Sequence, residues 1–191
     1  MLKSKLRKKV LKIRKTAFLS NSKIDSKKIF KLISKSGYKI KSVGGYFPVN
    51  SEIDDLEILK EFSKKNYKIS LPVIKKNFRM DFYQWFFDEP LKINKYGIPE
   101  PQLKTLVNPD LILVPIVAFD KNLNRLGYGG GFYDRLINNI NINKKVLKIG
   151  LAFSKQKINT VPVNKYDKKL DFIITEKDLI KWEFYFWEML L

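Results

Sequence analysis

Four glycines fall within five residues near the middle of the chain: Gly127, Gly129, Gly130 and Gly131. Arg125 and Arg135 flank this turn, and Asp134 follows it. Glycine accepts a positive φ and lets a ligand approach the backbone closely. Amides at the start of a helix carry partial positive charge and attract phosphate. The pattern indicates either a phosphate site with Asp134 as a candidate Mg²⁺ ligand, or a tight turn that only joins a strand to a helix.

The chain contains no histidine and no cysteine. This composition excludes disulfides, thiolate metal sites and nucleophiles activated by histidine. Enzymatic chemistry would have to use carboxylates, Lys, Arg, Tyr, backbone amides or a cofactor. Phosphoryl transfer suits such a set, because it depends mainly on positioning and charge stabilisation with Mg²⁺. Two familiar nucleotide motifs do not fit: G-x-x-x-x-G-K-[ST] is absent, and G-x-G-x-x-G would need glycine where Phe132 stands.

The segments around the turn predict the elements that position it. The apolar run 111–117 is typical of a strand that is buried on both faces. After the turn, Phe132, Leu136, Ile137 and Ile140 have helical spacing. Further helices are predicted at 2–17, 26–35, from Asn50 or Ser51 to about Lys65, and at 179–191. Further strands are predicted at 40–49, 68–74, 80–87, 146–153 and 171–175. This alternation favours an α/β fold with a mainly parallel sheet, in one domain over residues 1–191.

The formal net charge of +19 raises the question of nucleic-acid binding. Lysine greatly outnumbers the five arginines, Asn and Ile are also abundant, and the lysines are spread along the chain. These features indicate compositional bias, so no specific nucleic-acid partner is expected. With no run of eighteen apolar residues and no secretory signal, we expect a cytoplasmic monomer without a membrane span.

The N-terminal segment predicts an amphipathic helix whose apolar stripe comprises Leu2, Leu6, Val10, Ile13 and Ala17. The following cations surround this stripe: Lys3, Lys5, Arg7, Lys8, Lys9, Lys12, Arg14 and Lys15. They form either a solvated cationic face or, at Lys3 and Arg7, a contact with polyphosphate, because residues four apart share one face. Glu52 is expected to be either an ordinary acid in the first turn of the next helix or a functional group.

Six motifs in order resemble the 5-formyltetrahydrofolate cyclo-ligase family, also called 5,10-methenyltetrahydrofolate synthetase. The most specific runs from Pro115 to Arg135 and is close to P-x-x-[AG]-F-D…R-L-G-x-G-x-G-[FY]-Y-D-R. The other five are Lys3-x-x-Leu-Arg7, Tyr46-Phe-Pro…Glu52, Met80-x-Phe82, Gly97-Ile-Pro-Glu-Pro101 and Asp167…Asp171. The resemblance covers nearly the whole chain and implies a Rossmann-like three-layer sandwich.

The resemblance also implies the reaction. The formyl oxygen of 5-formyltetrahydrofolate takes the γ-phosphoryl group of ATP, the second folate nitrogen attacks the activated carbon, and phosphate leaves. The products are 5,10-methenyltetrahydrofolate, ADP and phosphate, and the substrate is the folate with or without a polyglutamate tail. Since the substrate supplies the nucleophile, the protein needs only to align two ligands and neutralise charge.

Positions that match the family motifs imply the site. The implied ATP contacts are Lys3, Arg7, Arg125, Leu126, Gly127, Tyr128, Gly129, Gly130, Gly131, Phe132 and Tyr133. Arg125 and Tyr133 are implied to act in catalysis, and Asp134 and Asp167 to bind Mg²⁺. The chain departs from the family at Tyr166, where members often carry histidine, so this neighbour of Asp167 is not an obligatory base.

The implied folate contacts are Phe47 and Glu52, where an acid would accept hydrogen bonds from the pterin N–H groups. Met80, Phe82 and Trp85 form either an apolar wall for the folate or part of the hydrophobic core. Tyr133 is expected near the reacting group.

Overall fold

The computed structural model describes residues 2–182 of the 191-residue chain. Its four α-helices are α1 (Leu2–Phe18), α2 (Ser26–Lys35), α3 (Leu56–Lys64) and α4 (Phe132–Asn143). The first six strands are β1 (Ser42–Gly44), β2 (Lys68–Ile74), β3 (Met80–Gln84), β4 (Lys92–Ile93), β5 (Pro99–Glu100) and β6 (Leu106–Val107). The other six are β7 (Leu111–Pro115), β8 (Ala118–Phe119), β9 (Arg125–Leu126), β10 (Leu147–Leu151), β11 (Phe172–Ile174) and β12 (Leu179–Lys181).

Eight strands form one sheet in the order β12-β11-β10-β7-β1-β2-β3-β6. The central strands, from β11 to β2, are parallel, and β12, β3 and β6 pair antiparallel at the two edges. The first four residues of β7 are completely buried, which explains the unbroken apolar run in its sequence. The predicted α/β class with a mainly parallel sheet is confirmed.

Helices cover both faces of the sheet and produce three layers. On one face, α2 and α3 contribute Ile29, Leu59 and Phe62 to a core with inward residues of the central strands. On the other face, Leu136 and Ile140 of α4 pack against a second set of strand residues. Helix α1 packs through Val10 on a smaller cluster beside the hairpin of β8 and β9.

The strand predicted at 40–49 is present but spans only Ser42–Gly44, and the predicted helix start at Asn50 or Ser51 was wrong. β1 ends at Gly44. The backbone amide of Tyr46 donates to the Asp55 carboxylate at 3.0 Å and so does not extend the pairing of the strand. Asn50 and Ser51 have φ angles of 51° and 65°, so they form a left-handed turn and do not cap a helix. Asp55 occupies the N-cap position of α3. Glu52 therefore lies in a loop and not in a first helical turn.

Two further segments differ from expectation. Residues 179–181 form strand β12, because a turn at Thr175 folds the chain back onto β11, so the predicted C-terminal helix is wrong there. Residues 183–191 lie outside the described part of the chain. The predicted rigid loop at 96–101 includes β5, which pairs with β4. No helix within residues 2–182 is long and apolar enough to cross a membrane. The single domain over residues 1–191 stays a prediction.

Candidate active site

The glycine turn is carried by the hairpin of β8 and β9 and leads directly into α4. Buried Asp120 shapes this hairpin, since its carboxylate accepts from the amides of Asn122 at 2.9 Å and Val161 at 2.9 Å. Gly129 has φ +106° and Gly131, the N-cap of α4, has φ +65°. These angles explain why glycine is required at both positions. The predicted order of strand, loop, glycine turn and helix is confirmed, with a hairpin added in the loop.

The start of α1 lies beside this turn. Lys3 Nζ is 2.7 Å from Asp167 Oδ2, and Arg7 Nε donates to the Gly127 carbonyl at 2.7 Å. A β-carbon on Gly129 would lie 3.2 Å from the Arg7 guanidinium. The two cations that sequence reasoning selected are therefore brought to the turn and to the late aspartate, although they lie more than 100 residues away along the chain.

Asp134 is linked to the segment of Asp167 by a hydrogen bond from the backbone amide that follows Asp167. Asp134 Oδ1 accepts from Arg125 Nη2 at 2.7 Å and from the backbone amide of Lys168 at 2.9 Å. Arg125 also donates to the Lys168 carbonyl. Each carboxylate thus already faces a cation, Arg125 or Lys3.

This arrangement fits Mg²⁺ bound together with phosphate. Within residues 2–182, no group of three acidic, His or Cys side chains is close enough to form a protein-only metal site. Mg²⁺ commonly takes one or two carboxylates and completes its shell with substrate phosphates and water. Asp134 and Asp167 are the two carboxylates that could serve in this way, and the phosphate oxygens would lie at the neighbouring turn.

Glu52 is only 4% exposed, and its carboxylate is held by the loop and by α1. Its Oε2 accepts from the Val49 amide at 2.8 Å, and its Oε1 lies 3.8 Å from Nη1 of Arg14. Burial raises the pKa of Glu52, against the opposing effects of the Val49 hydrogen bond, the Arg14 charge and the Tyr128 hydroxyl. A carboxyl in such surroundings can change its protonation state when a ligand brings or removes a hydrogen-bond donor.

Arg14 is completely buried, contrary to the expectation that it lies on a solvated cationic face. Its guanidinium donates to the carbonyls of Ile116 at 3.2 Å and Asn50 at 2.7 Å, and to the Tyr128 hydroxyl. The sequence carried a signal that was missed: Arg14 follows Val10 by four residues and so shares its buried face.

The Tyr133 hydroxyl lies in a second buried polar region, near the carboxylates of Asp55 and Glu52. Within the described range 2–182, the Tyr133 hydroxyl and Asp55 Oδ1 have no hydrogen-bond partner. Burial, followed by the negative charges of Glu52 and Asp55, raises the pKa of Tyr133. Burial also raises the pKa of Asp55. Sequence reasoning selected Tyr133 but missed Asp55, which lies at the N-cap position of α3.

The residues expected to form an apolar wall are separated in the structure. Met80 and Phe82 belong to the core beneath α4, whereas Trp85 belongs to the core beneath α2 and α3. They therefore do not form one wall, because successive strand residues face opposite sides of the sheet. Phe47 is half-buried in the loop that carries Glu52.

Exposed aromatic side chains border the glycine turn. Phe78 and Tyr96 each have a ring centroid 6.2 Å from that of Phe132, and the Arg135 guanidinium lies over Phe78 and Phe132. Tyr166 is 68% exposed, next to Asp167. Phe78, Tyr96 and Phe132 come from three separate segments, so sequence spacing gave no indication that they meet.

Comparison with known proteins identifies the group to which this architecture belongs. The sequence model of the 5-formyltetrahydrofolate cyclo-ligase family matches residues 1–176. A 5-formyltetrahydrofolate cyclo-ligase of Haemophilus influenzae is 42% identical over 94 residues, which cover 47% of this chain and 50% of the relative. The Escherichia coli cyclo-ligase is 33% identical over 106 residues, covering 53% of this chain and 58% of that protein. The chain thus spans about half the length of the curated relatives it matches.

Solved structures match over almost the entire chain. The 5,10-methenyltetrahydrofolate synthetase of Aquifex aeolicus has a TM-score of 0.75 and 34% identity, covering 95% of this chain and 93% of that one. The Mycoplasma pneumoniae synthetase has a TM-score of 0.67 at 24% identity, covers 93% of this chain and all of that one, and shares the fold. The chain therefore belongs to the 5-formyltetrahydrofolate cyclo-ligase family.

Proposed function

We propose that this protein catalyses the ATP- and Mg²⁺-dependent cyclisation of 5-formyltetrahydrofolate to 5,10-methenyltetrahydrofolate, with release of ADP and phosphate. The observation that carries the proposal is the convergence of Lys3, Arg7, Arg125, Asp134 and Asp167 on the glycine turn. This is the charge pattern that a magnesium-bound polyphosphate needs, and family membership supplies the substrate class.

The chemistry needs no nucleophile from the protein. The formyl oxygen bonds to the γ-phosphorus of ATP, and the bond between that phosphorus and the ADP oxygen breaks. The second folate nitrogen then bonds to the formyl carbon and loses its proton, while the carbon–oxygen bond to phosphate breaks. The absence of His and Cys is compatible with this route, because catalysis rests on alignment and charge stabilisation.

The nucleotide half of the site consists of fixed cations and amides. Lys3, Arg7 and Arg125 would stabilise charge on the phosphate oxygens, and the turn from Leu126 to Tyr133 would surround them. Bound Mg²⁺, held by Asp134 and Asp167, would supply further neutralisation of that charge. Arg125 is held by Asp134 and the Lys168 carbonyl, so its charge is positioned before the ligand arrives.

The folate half is proposed at Glu52, Phe47 and Tyr133. The Glu52 carboxylate would accept hydrogen bonds from pterin N–H groups, and Phe47 would contact the ring. The buried Tyr133 hydroxyl has its hydrogen-bonding capacity free within residues 2–182, so it is proposed to contact the reacting formyl group. Met80 and Trp85 stay predicted substrate contacts, although both are buried in the core.

The test is the absorbance of purified protein mixed with 5-formyltetrahydrofolate, Mg²⁺ and ATP. We expect growth of the methenyl chromophore, and none when ATP or Mg²⁺ is omitted. Folded protein that binds ATP but produces no chromophore would be a nucleotide-binding relative without this activity, and the proposal would fail.

We further infer a cytoplasmic monomer that accepts polyglutamylated folate and has no specific nucleic-acid partner. Size-exclusion chromatography with light scattering tests the monomer, and cell fractionation tests the location. RNA titration should show weak binding with no preference among RNA sequences, because contacts with phosphates alone carry no sequence information.

A further inference from the structure

Arg14 joins segments that belong to different halves of the proposed site. Its Nη2 donates to the hydroxyl of Tyr128 in the glycine turn and to the Asn50 carbonyl in the loop that carries Glu52. Its Nη1 donates to the Ile116 carbonyl, one residue after β7. One guanidinium therefore holds the turn, the loop and the end of a central strand.

The position is unusual for a cation. Arg14 has no exposed surface, and its Nε has no hydrogen-bond partner in the described residues. A buried charge that keeps unpaired polar capacity is costly, so helix packing alone does not account for it. Its charge faces Glu52, and its guanidinium carbon lies 5.4 Å from the Tyr128 ring centroid.

The two segments that Arg14 holds are a left-handed turn and a tyrosine between two glycines. Asn50 and Ser51 both adopt left-handed backbone angles, which non-glycine residues occupy at a cost. Tyr128 lies between Gly127 and Gly129, and its side chain is 45% exposed. The planar fork of arginine can serve both segments at once, whereas a lysine ammonium is a point charge on a flexible stem.

We propose that Arg14 is a positioning residue that couples nucleotide binding at the glycine turn to substrate binding at Glu52. A ligand that orders Tyr128 fixes the Arg14 guanidinium, which fixes the Asn50 carbonyl and the electrostatic environment of Glu52. The second ligand then meets a loop that is already ordered and loses less conformational entropy on binding. The coupling is reciprocal, so each ligand tightens the other by the same factor. This inference rests on the proposed function.

The experiment measures the Kd of 5-formyltetrahydrofolate for the full chain by calorimetry. Each variant is measured alone and with a saturating, non-hydrolysable ATP analogue plus Mg²⁺, and the analogue is titrated in the reverse order. Tyr128→Phe removes the hydroxyl that Arg14 contacts and retains the ring. Arg14→Lys keeps the charge and removes the fork. Tyr67→Phe, at a tyrosine that packs on Phe62 beyond the end of α3, is the matched control.

We expect the nucleotide to tighten folate binding by about fivefold or more in the wild type and in Tyr67→Phe, within the usual range of coupling energies. In Tyr128→Phe the coupling factor, which is the ratio of the folate Kd without and with saturating nucleotide, should fall towards one, whatever the change in the affinity for each ligand alone. Arg14→Lys, if folded by circular dichroism, should lose the coupling as well.

Two results would overturn the inference: a wild type that binds both ligands independently, or a Tyr128→Phe variant that retains wild-type coupling. If the wild type binds neither folate nor nucleotide, the proposed function itself fails and the inference falls with it. The Tyr128 hydroxyl also interacts with the Glu52 carboxyl, so Arg14→Lys is needed to assign a loss of coupling to Arg14. A Tyr128→Phe variant that keeps the coupling refutes the inference whether or not Arg14→Lys folds.

Discussion

Replacing Asp134 by asparagine tests whether this carboxylate binds a metal or only supports the structure. Asp134 Oδ1 accepts one hydrogen bond from a cation, Arg125, at 2.7 Å and one from a backbone amide at 2.9 Å. Asp171 has the same arrangement, since its Oδ2 lies 2.8 Å from Lys148 Nζ and accepts from the Lys148 amide at 2.8 Å. The two side chains are also similarly exposed, at 24% and 19%. Asp171→Asn is therefore a matched control.

The structural part of the effect should be equal in the two variants. Asparagine keeps the accepting oxygen and loses the charge, so we expect a loss of about 1–2 kcal/mol, below the full value of a charge-assisted hydrogen bond. For a chain of this length that corresponds to roughly 2–8 °C in Tm. Differential scanning fluorimetry without ligand measures this fall in Tm.

The functional part should differ. At a concentration of ATP and Mg²⁺ about 100 times the Kd, binding stabilises the folded state by about 2.7 kcal/mol. We expect a ligand-dependent rise in Tm of roughly 5–11 °C in the wild type and in Asp171→Asn. In Asp134→Asn the rise should shrink markedly, and turnover should fall by on the order of 100-fold, as when transition-state charge loses a fixed partner. The metal assignment would be refuted if Asp134→Asn kept both the rise and the turnover.

Three further substitutions test other carboxylates of the chain. Glu52→Gln should raise the KM for 5-formyltetrahydrofolate by about tenfold, which corresponds to a loss of about 1.4 kcal/mol of binding free energy. The KM for ATP should stay close to that of the wild type. Steady-state kinetics measure both constants, and an unchanged folate KM would show that Glu52 does not bind the substrate. Burial raises the pKa of Asp55, so the folded state gains stability from its protonation at acid pH and loses it as pH rises through that raised pKa. Asp55→Asn should therefore have a higher Tm than wild type at pH 8, with the difference vanishing near pH 4; a constant difference would contradict the buried charge. The pKa of Asp110 is shifted in the opposite direction. Burial would raise it, but hydrogen bonds from Lys144 and from the start of β1 outweigh burial and lower it. Asp110→Asn should lower Tm at pH 7, and this loss should shrink as pH falls below the usual aspartate pKa of about 3.9 and vanish below the lowered pKa of folded Asp110. A Tm deficit as large at pH 3 as at pH 7 would show that charge is not its cause.

Local pattern predicted the elements whose burial is uniform or strictly periodic. Strand β2 and helix α2 begin and end at the predicted residues. The apolar run of β7 is fully buried, and α4 begins at Phe132 after the glycine turn. In these segments every residue's environment follows from its neighbours along the chain, so period and composition are sufficient.

Prediction was wrong where a distant side chain decided the backbone. β1 stops early, because the Asp55 carboxylate takes the Tyr46 amide. Residues 179–181 pair with β11 although their composition suits a helix, because strand pairing is a long-range contact that local propensity does not contain.

The candidate site divides in the same way. The sequence by itself determined that no His or Cys chemistry is possible, that a glycine turn with flanking charges precedes a helix, and that Lys3 and Arg7 share one helix face. Only the tertiary structure brought Lys3 to Asp167, placed Asp134 on the Lys168 amide, and buried Arg14 between Tyr128 and Asn50. Residue type and local spacing set what each side chain can do and which neighbours it faces. Contacts across more than 100 residues depend on how α1 packs against the hairpin after β7, and that packing is a property of the whole core.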